Sequence, residues 1–231
     1  MTLLVSFLVI FLAIYVGRIV YFGLIAKFVG KKTTAFNQHP QNPTIRILCV
    51  GDSIGVGVGS TSPDSSFFGL LGQNLPTALI TNYCKNGLNT IQVLEYLKSK
   101  DLKNYDMAIA ILGGMDVIKM TNIDSLEKTL EDLLSLLKNH AKRIILVPPH
   151  NTGLLPMYHF PLTGILNWRA KKVEELFTKI GKLHFCVITS QDFSRLLLDK
   201  KKYFSIDKAH PNDLGYALWF DTIKHVFKNL V

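Results

Sequence analysis

The chain has 231 residues, 48% of them hydrophobic and 19% charged, a balance that excludes a disordered or low-complexity chain and suits one domain with an appendage. The net charge is +9, yet no acidic residue precedes Asp52, so Arg18, Lys27, Lys31, Lys32 and Arg46 supply five of those charges. The remaining charge is small and scattered, without clustered Arg and aromatics, which excludes a nucleic-acid groove. Cys49, Cys84 and Cys186 have no C-x-x-C spacing. They indicate neither a disulfide framework nor a zinc site and read as small buried hydrophobes.

The chain opens on TLLVSFLVIFLAIYVG (residues 2–17), which carries no charge, and after Arg18 the apolar run resumes until Lys27. At a rise of about 1.5 Å per residue this stretch crosses a hydrocarbon core of about 30 Å. Residues 1–30 are therefore expected to form a transmembrane or anchor helix, with Arg18 snorkelling near an interface. Every early basic residue follows the 2–17 run, so the positive-inside rule places the rest of the protein on the cytoplasmic side; export remains the alternative. Residues 31–43, rich in Thr, Asn, Gln and Pro, read as a linker.

From Thr44 to Val231 the chain alternates short apolar runs with helical patterns. The strand candidates are 44–50, 78–84, 107–112, 143–148 and 184–189, each nearly continuous in apolar residues. Such strands are buried on both faces, which predicts a parallel sheet covered by helices. The spacing of Leu126, Leu130, Leu133, Leu134 and Leu137 predicts a helix over 123–140, with Asp124 capping it. Helices are also expected over 165–180 and 212–230, with Trp168 and Trp219 as packing residues. The expected fold is a three-layer α/β/α sandwich on a five-stranded parallel sheet, whose ligands gather at the carboxyl ends of the strands.

The first strand runs straight into Gly51-Asp52-Ser53-Ile54-Gly55. A serine there meets exposed backbone N–H groups at a helix start, a suitable place for a nucleophile, although a serine in that position also serves as a helix cap. Neither a Walker-type nor a dinucleotide-binding glycine pattern is present. Near the far end, Asp207-Lys208-Ala209-His210-Pro211 sets an acid three residues before a histidine. Asp207 in that spacing can hold the His210 tautomer while His210 takes a serine proton.

GDSIGVGVG, the Asn86-Gly87 pair, Gly113-Gly114-Met115-Asp116 and DKAHPNDLGY resemble, in order and spacing over about residues 44–228, the SGNH or GDSL-type hydrolases, and most of all their lysophospholipase-like esterases. The resemblance implies an α/β fold of the flavodoxin-like kind and a serine esterase without cofactor. It implies Ser53 as nucleophile, His210 as general base and then acid, Asp207 as its orienter, and the N–H groups of Ser53 and Gly87 as oxyanion donors. Met115 stands where that family carries a hydrogen-bonding Asn, and a thioether cannot donate. The loss of one oxyanion donor costs roughly 10²- to 10³-fold in rate. Asn151 or Asn89 is a candidate replacement, and Asp116 is expected to brace the Ser53 turn through its backbone N–H groups.

The proline-punctuated loop 148–161 follows the fourth strand and is expected to wall an acyl chain or face a membrane. His150 and His159 lack zinc-motif spacing, and no metal is expected. Lys200–Lys202 reads as a solvated turn, or as a contact for anionic headgroups. The expected substrate is an acyl ester, lipid or lysophospholipid, met at the membrane through the N-terminal helix, and no protein partner is indicated. The same residues would also serve acyl transfer to, or deacetylation of, a glycan. A domain weakened at Met115 would bind without turnover.

Overall fold

The computed structural model describes residues 2–149, 151–189 and 194–228. It begins with α1 (Thr2–Lys32), a helix whose residues 5–32 are long and apolar enough to cross a membrane. At about 1.5 Å per residue its 31 residues span about 46 Å, more than the hydrocarbon core of about 30 Å. The C-terminal half of the helix lies against the domain. Tyr15, Ile19, Phe22, Ile25, Ala26 and Val29 are half-buried along one face, while the described side chains from Val5 to Ile14 are all exposed.

The segment after α1 is docked along a sheet edge. Gln38 exchanges backbone hydrogen bonds with Ile80 (3.0 and 2.9 Å), and its side-chain amide donates to the Ala78 carbonyl. An edge strand covered in this way offers no free ladder to another chain.

The sheet comprises β1 (Ile45–Gly51), β2 (Ala78–Asn82), β3 (Tyr105–Ile111), β4 (Ala141–Val147) and β5 (Val187–Ile188) in the order β2-β1-β3-β4-β5, all parallel. Ile47, Leu48, Cys49 and Val50 are fully buried, as a strand covered on both faces requires. Between β1 and β2 come the short α2 (Ser53–Val56) and α3 (Phe67–Asn74); α4 (Thr90–Lys98) leads to β3. After β3 follow α5 (Gly114–Ile118) and α6 (Ile123–His140), and α7 (Leu162–Leu183) joins β4 to β5. The chain closes with α8 (Ser194–Leu197), α9 (Lys200–Tyr203), α10 (Asp213–Ile223) and α11 (His225–Lys228). Helices α4, α6 and α7 pack side by side on one face, and α3 meets α10 on the other. There the Phe67 and Trp219 rings lie 4.4 Å apart.

The predicted sheet and its helices are present, with local differences. β5 is only two residues long because α7 runs on to Leu183 and closes through Phe185 in the left-handed region, its N–H on the Lys182 carbonyl. The cap of α6 is Asn122, whose side chain accepts the Ser125 N–H, rather than Asp124. Trp219 is fully buried as expected, whereas Trp168 is 59% exposed, with Lys172 over its ring. Cys49 and Cys84 are buried, and burial pushes both thiols up. His150 and the end of the last predicted helix, 229–230, lie outside the described residues.

Candidate active site

The strand order places the switch in winding direction between β1 and β3, where the loops leaving their carboxyl ends diverge and open a crevice. The Ser53 turn leaves β1 there, with Asp52 N–H bonded to the Ile111 carbonyl of β3. Asp52 caps α2 by accepting the Ile54 N–H at 3.0 Å. The Gly113–Asp116 segment enters from β3, and the Gly87 loop joins from the end of β2.

The far end of the chain returns to this point. His210 Nε2 lies 2.8 Å from Ser53 Oγ, and His210 Nδ1 lies 2.7 Å from an Asp207 carboxylate oxygen. The other Asp207 oxygen accepts the N–H groups of Ala209 (2.9 Å) and His210 (3.0 Å) and the Ser205 hydroxyl (2.7 Å). Burial alone would raise the Asp207 carboxyl, but the His210 ring and these donors outweigh it and hold the group well below the usual carboxylate range. Asp207 is therefore an anion fixed on every side, and its free direction is spent on the imidazole.

The two loops are locked together by further residues of the GDSIGVGVG and DKAHPNDLGY segments and by Thr61. The Tyr216 hydroxyl, on α10, donates to the Val58 carbonyl at 2.9 Å. Thr61 donates its N–H to Asp213 at 2.7 Å. Gly59, at φ +98°, lies so close to Pro211 that a Cβ there would overlap the Pro211 carbonyl oxygen. Only glycine satisfies both the backbone and the space.

Asp116 has a different role from the one expected. Its carboxylate accepts the N–H (3.0 Å) and hydroxyl (2.6 Å) of Thr90, at the start of α4, and not backbone groups of the Ser53 turn. It therefore ties the β3 loop to the helix that follows the Gly87 loop. Buried Arg169, on α7, donates to the Thr121 carbonyl nearby and opposes the Asp116 charge. Neither Asn proposed for the Met115 gap supplies a donor: Asn89 caps α4 and donates to Thr121 Oγ1, and Asn151 does not line the cavity. Asp52 is a third buried carboxyl, after Asp207 and Asp116. Burial raises it to about 6, against smaller lowering by the Ile54 N–H and by the nearby His210.

Ser53 and His210 open onto a cavity of about 1000 Å³. Gly87 and Met115 line it as well, together with Leu155, Met157 and Tyr158 of the loop expected to form an apolar wall. Lys200–Lys202, in contrast, forms α9 and does not line the cavity. Asp52, Thr90, Arg169 and Tyr216 escaped the reading of the sequence. Tyr216, six residues beyond His210 on a helix opening at Asp213, is the one whose position gave a usable signal.

Comparison with known proteins identifies the fold and the family. The family model of the GDSL-like lipase/acylhydrolases matches residues 49–218. The uncharacterized protein YpmR of Bacillus subtilis is 26% identical, over 75% of this chain and 78% of its own. A lipase/acylhydrolase from Enterococcus faecalis superposes with a TM-score of 0.61 at 19% identity, covering 80% of this chain and 96% of the other. An acetylxylan esterase from Geobacillus stearothermophilus does so with a TM-score of 0.60 at 16% identity, covering 79% and 94%. These two structural likenesses establish the fold. With the family match spanning most of the domain, the chain belongs to the GDSL-like lipase/acylhydrolase family of ester-cleaving hydrolases.

Proposed function

We propose that this protein is a membrane-anchored serine esterase that cleaves lipid acyl esters, lysophospholipids among them, through an acyl-enzyme on Ser53. The observation that carries the reading is the unbroken chain from Ser53 Oγ through the His210 ring to the buried Asp207 carboxylate. In the reaction His210 Nε2 takes the Ser53 proton as Oγ attacks the ester carbonyl. The tetrahedral oxyanion turns to the N–H groups of Ser53 and Gly87. Its collapse expels the alcohol, protonated by His210, and leaves the acyl group on Oγ. Water, activated by the same ring, then releases the acid. Asp207 keeps Nδ1 protonated and stabilises the imidazolium throughout.

The apolar residues around the cavity favour a lipid ester over a sugar, whose hydroxyls would find few partners there. The helix α1 holds the domain at the bilayer, and its basic end, Lys27 to Lys32, favours the cytoplasmic face. The test is hydrolysis of p-nitrophenyl esters of increasing chain length by the full chain and by Ser53→Ala. Turnover that disappears in Ser53→Ala and rises with chain length supports the reading. Turnover equal in both proteins overturns it.

A further inference from the structure

The cavity beside Ser53 is not closed by the hydrolase domain alone. Ile19, Gly23, Ala26 and Gly30, spaced by four, three and four residues, line it from α1, opposite Met115, Leu155 and Met157. The contact is close. Buried Gly30 packs on the carboxamide of Asn86, in the same loop as Gly87, and a Cβ there would overlap it. Further along α1, the Tyr15 hydroxyl donates to the His159 carbonyl at 2.8 Å, and Phe22 and Val29 pack against the core. If about 20 residues of α1 fill the hydrocarbon, then Gly23 to Lys31 emerge at the headgroup level. The loop that receives Tyr15 carries Phe160, 85% exposed, beside the membrane-level part of the helix.

Two cations complete this wall. Lys27 and Lys31, one turn apart on α1, both line the cavity, and among the described residues neither has a carboxylate partner. Lys85 also lines it, but its ammonium lies over the Tyr96 ring, and Lys32 is held over Phe28. Among the described residues the only acidic one lining the cavity is buried Asp52, next to Ser53 in the chain.

Resting on the esterase reading above, we infer that the anchor helix is one wall of the substrate site: its small-residue face accepts the acyl chain of a single-chain lipid, and Lys27 and Lys31 bind the phosphate of an anionic headgroup at the membrane surface. A volume of about 1000 Å³ stands at the upper end of the roughly 300–1000 Å³ usual for small-molecule sites, enough for chain and headgroup together. The anchor thus selects the substrate as well as holding the enzyme at the bilayer.

The test uses the full chain in non-ionic detergent, which removes any attraction to an anionic bilayer. Binding of an ether analogue of lysophosphatidylglycerol, which has no ester to cut, is compared with that of the zwitterionic choline analogue. The wild type is expected to bind the anionic lipid more tightly, and Lys27→Gln/Lys31→Gln to weaken that lipid alone by about tenfold. In turnover of the matching ester lipids, the double variant raises KM for the anionic one and leaves kcat and p-nitrophenyl acetate hydrolysis unchanged. Gly23→Leu, whose side chain meets no atom within 4 Å at its Cβ, shifts the chain-length preference toward shorter acyl groups. Equal binding of the two ether lipids by the wild type, or no change in either variant, overturns the assignment. Headgroup-selective binding without turnover of any ester supports the lipid site and overturns the esterase reading instead.

Discussion

The hydroxyl of Tyr216 donates to the carbonyl of Val58, 2.9 Å away, so the helix that follows His210 grips the loop that follows Ser53. The two residues stand 158 positions apart. Both ends of the bond are buried, and Tyr216→Phe leaves the Val58 carbonyl without a partner at a cost of about 1–3 kcal/mol. Thermal unfolding should show a Tm lower by several degrees. Because the lost bond fixes the Ser53 loop against the His210 loop, kcat for a p-nitrophenyl ester should fall several-fold with KM little changed. Activity equal to wild type would mean that Thr61 and Gly59 alone hold the loops in register.

In the proposed reaction Asp207 reaches Ser53 through the imidazole, which makes its substitution diagnostic. In Asp207→Asn the side-chain amide no longer stabilises the imidazolium and favours the wrong His210 tautomer. The expected loss in kcat is about 10⁴-fold with near-normal KM. Ser53→Ala, made alongside it, should lose at least as much, and the double variant should fall no further, since the residues act as one unit. Additive losses would show that Asp207 serves the fold rather than the reaction.

Much of this arrangement was legible in the chain because it rests on local signals. Short, nearly continuous apolar runs such as Ile45–Gly51 mark strands buried on both faces, and Ser53 and His210 each sit where such a strand or a helix begins or ends. What stayed hidden depends on contacts between distant segments. The partner of Asp116 is Thr90, 26 residues away, and nothing around either residue announces the other. The apolar residues of α1 cover all sides of the helix, so the face turned to the cavity carries no periodic signature. Gln38 reads as a polar linker residue, yet its backbone completes the edge of β2. Trp168, expected as a packing residue within a helix, is exposed because α7 turns that side outward.

The raised Asp52 carboxyl predicts a pH-dependent stability of definite sign. Its ordinary value of 3.8 is pushed up to about 6 in the folded protein, so the folded state holds the proton more tightly than the unfolded chain. The resulting stabilisation is complete below about pH 4 and is lost as the pH rises through about 6. Asp52→Asn keeps the cap on the Ile54 N–H but does not titrate. Relative to wild type, this variant should gain up to about 3 kcal/mol in unfolding free energy between pH 4 and pH 7. Asp207 is present in both proteins, and the Asp116 charge, a smaller cause of the Asp52 shift than burial, alters the difference less than Asp52 itself. Denaturant unfolding at pH 4, 5.5 and 7 measures it, and a difference flat with pH would show that Asp52 ionises normally beneath Ser53.

Met115 lines the cavity with Ser53 and Gly87 but offers no hydrogen to an oxyanion. In the proposed reaction the backbone N–H groups of Ser53 and Gly87 then carry the developing charge without a third donor. A third donor in other serine hydrolases is worth roughly 10²- to 10³-fold. Met115→Asn restores a carboxamide at a position where the side chain already faces the cavity, one residue before the Asp116 carboxylate that anchors the loop to Thr90. The expected result is a kcat on p-nitrophenyl esters higher by about tenfold or more, with KM nearly unchanged because the gain arises only when the carbonyl becomes tetrahedral. Met115→Leu, equal in bulk and equally unable to donate, separates this effect from a change in cavity shape and should remain at the wild-type rate. If Met115→Asn stays at that rate as well, the oxyanion is already satisfied, and Asn86, which lines the same cavity beside Gly87, becomes the residue to substitute next.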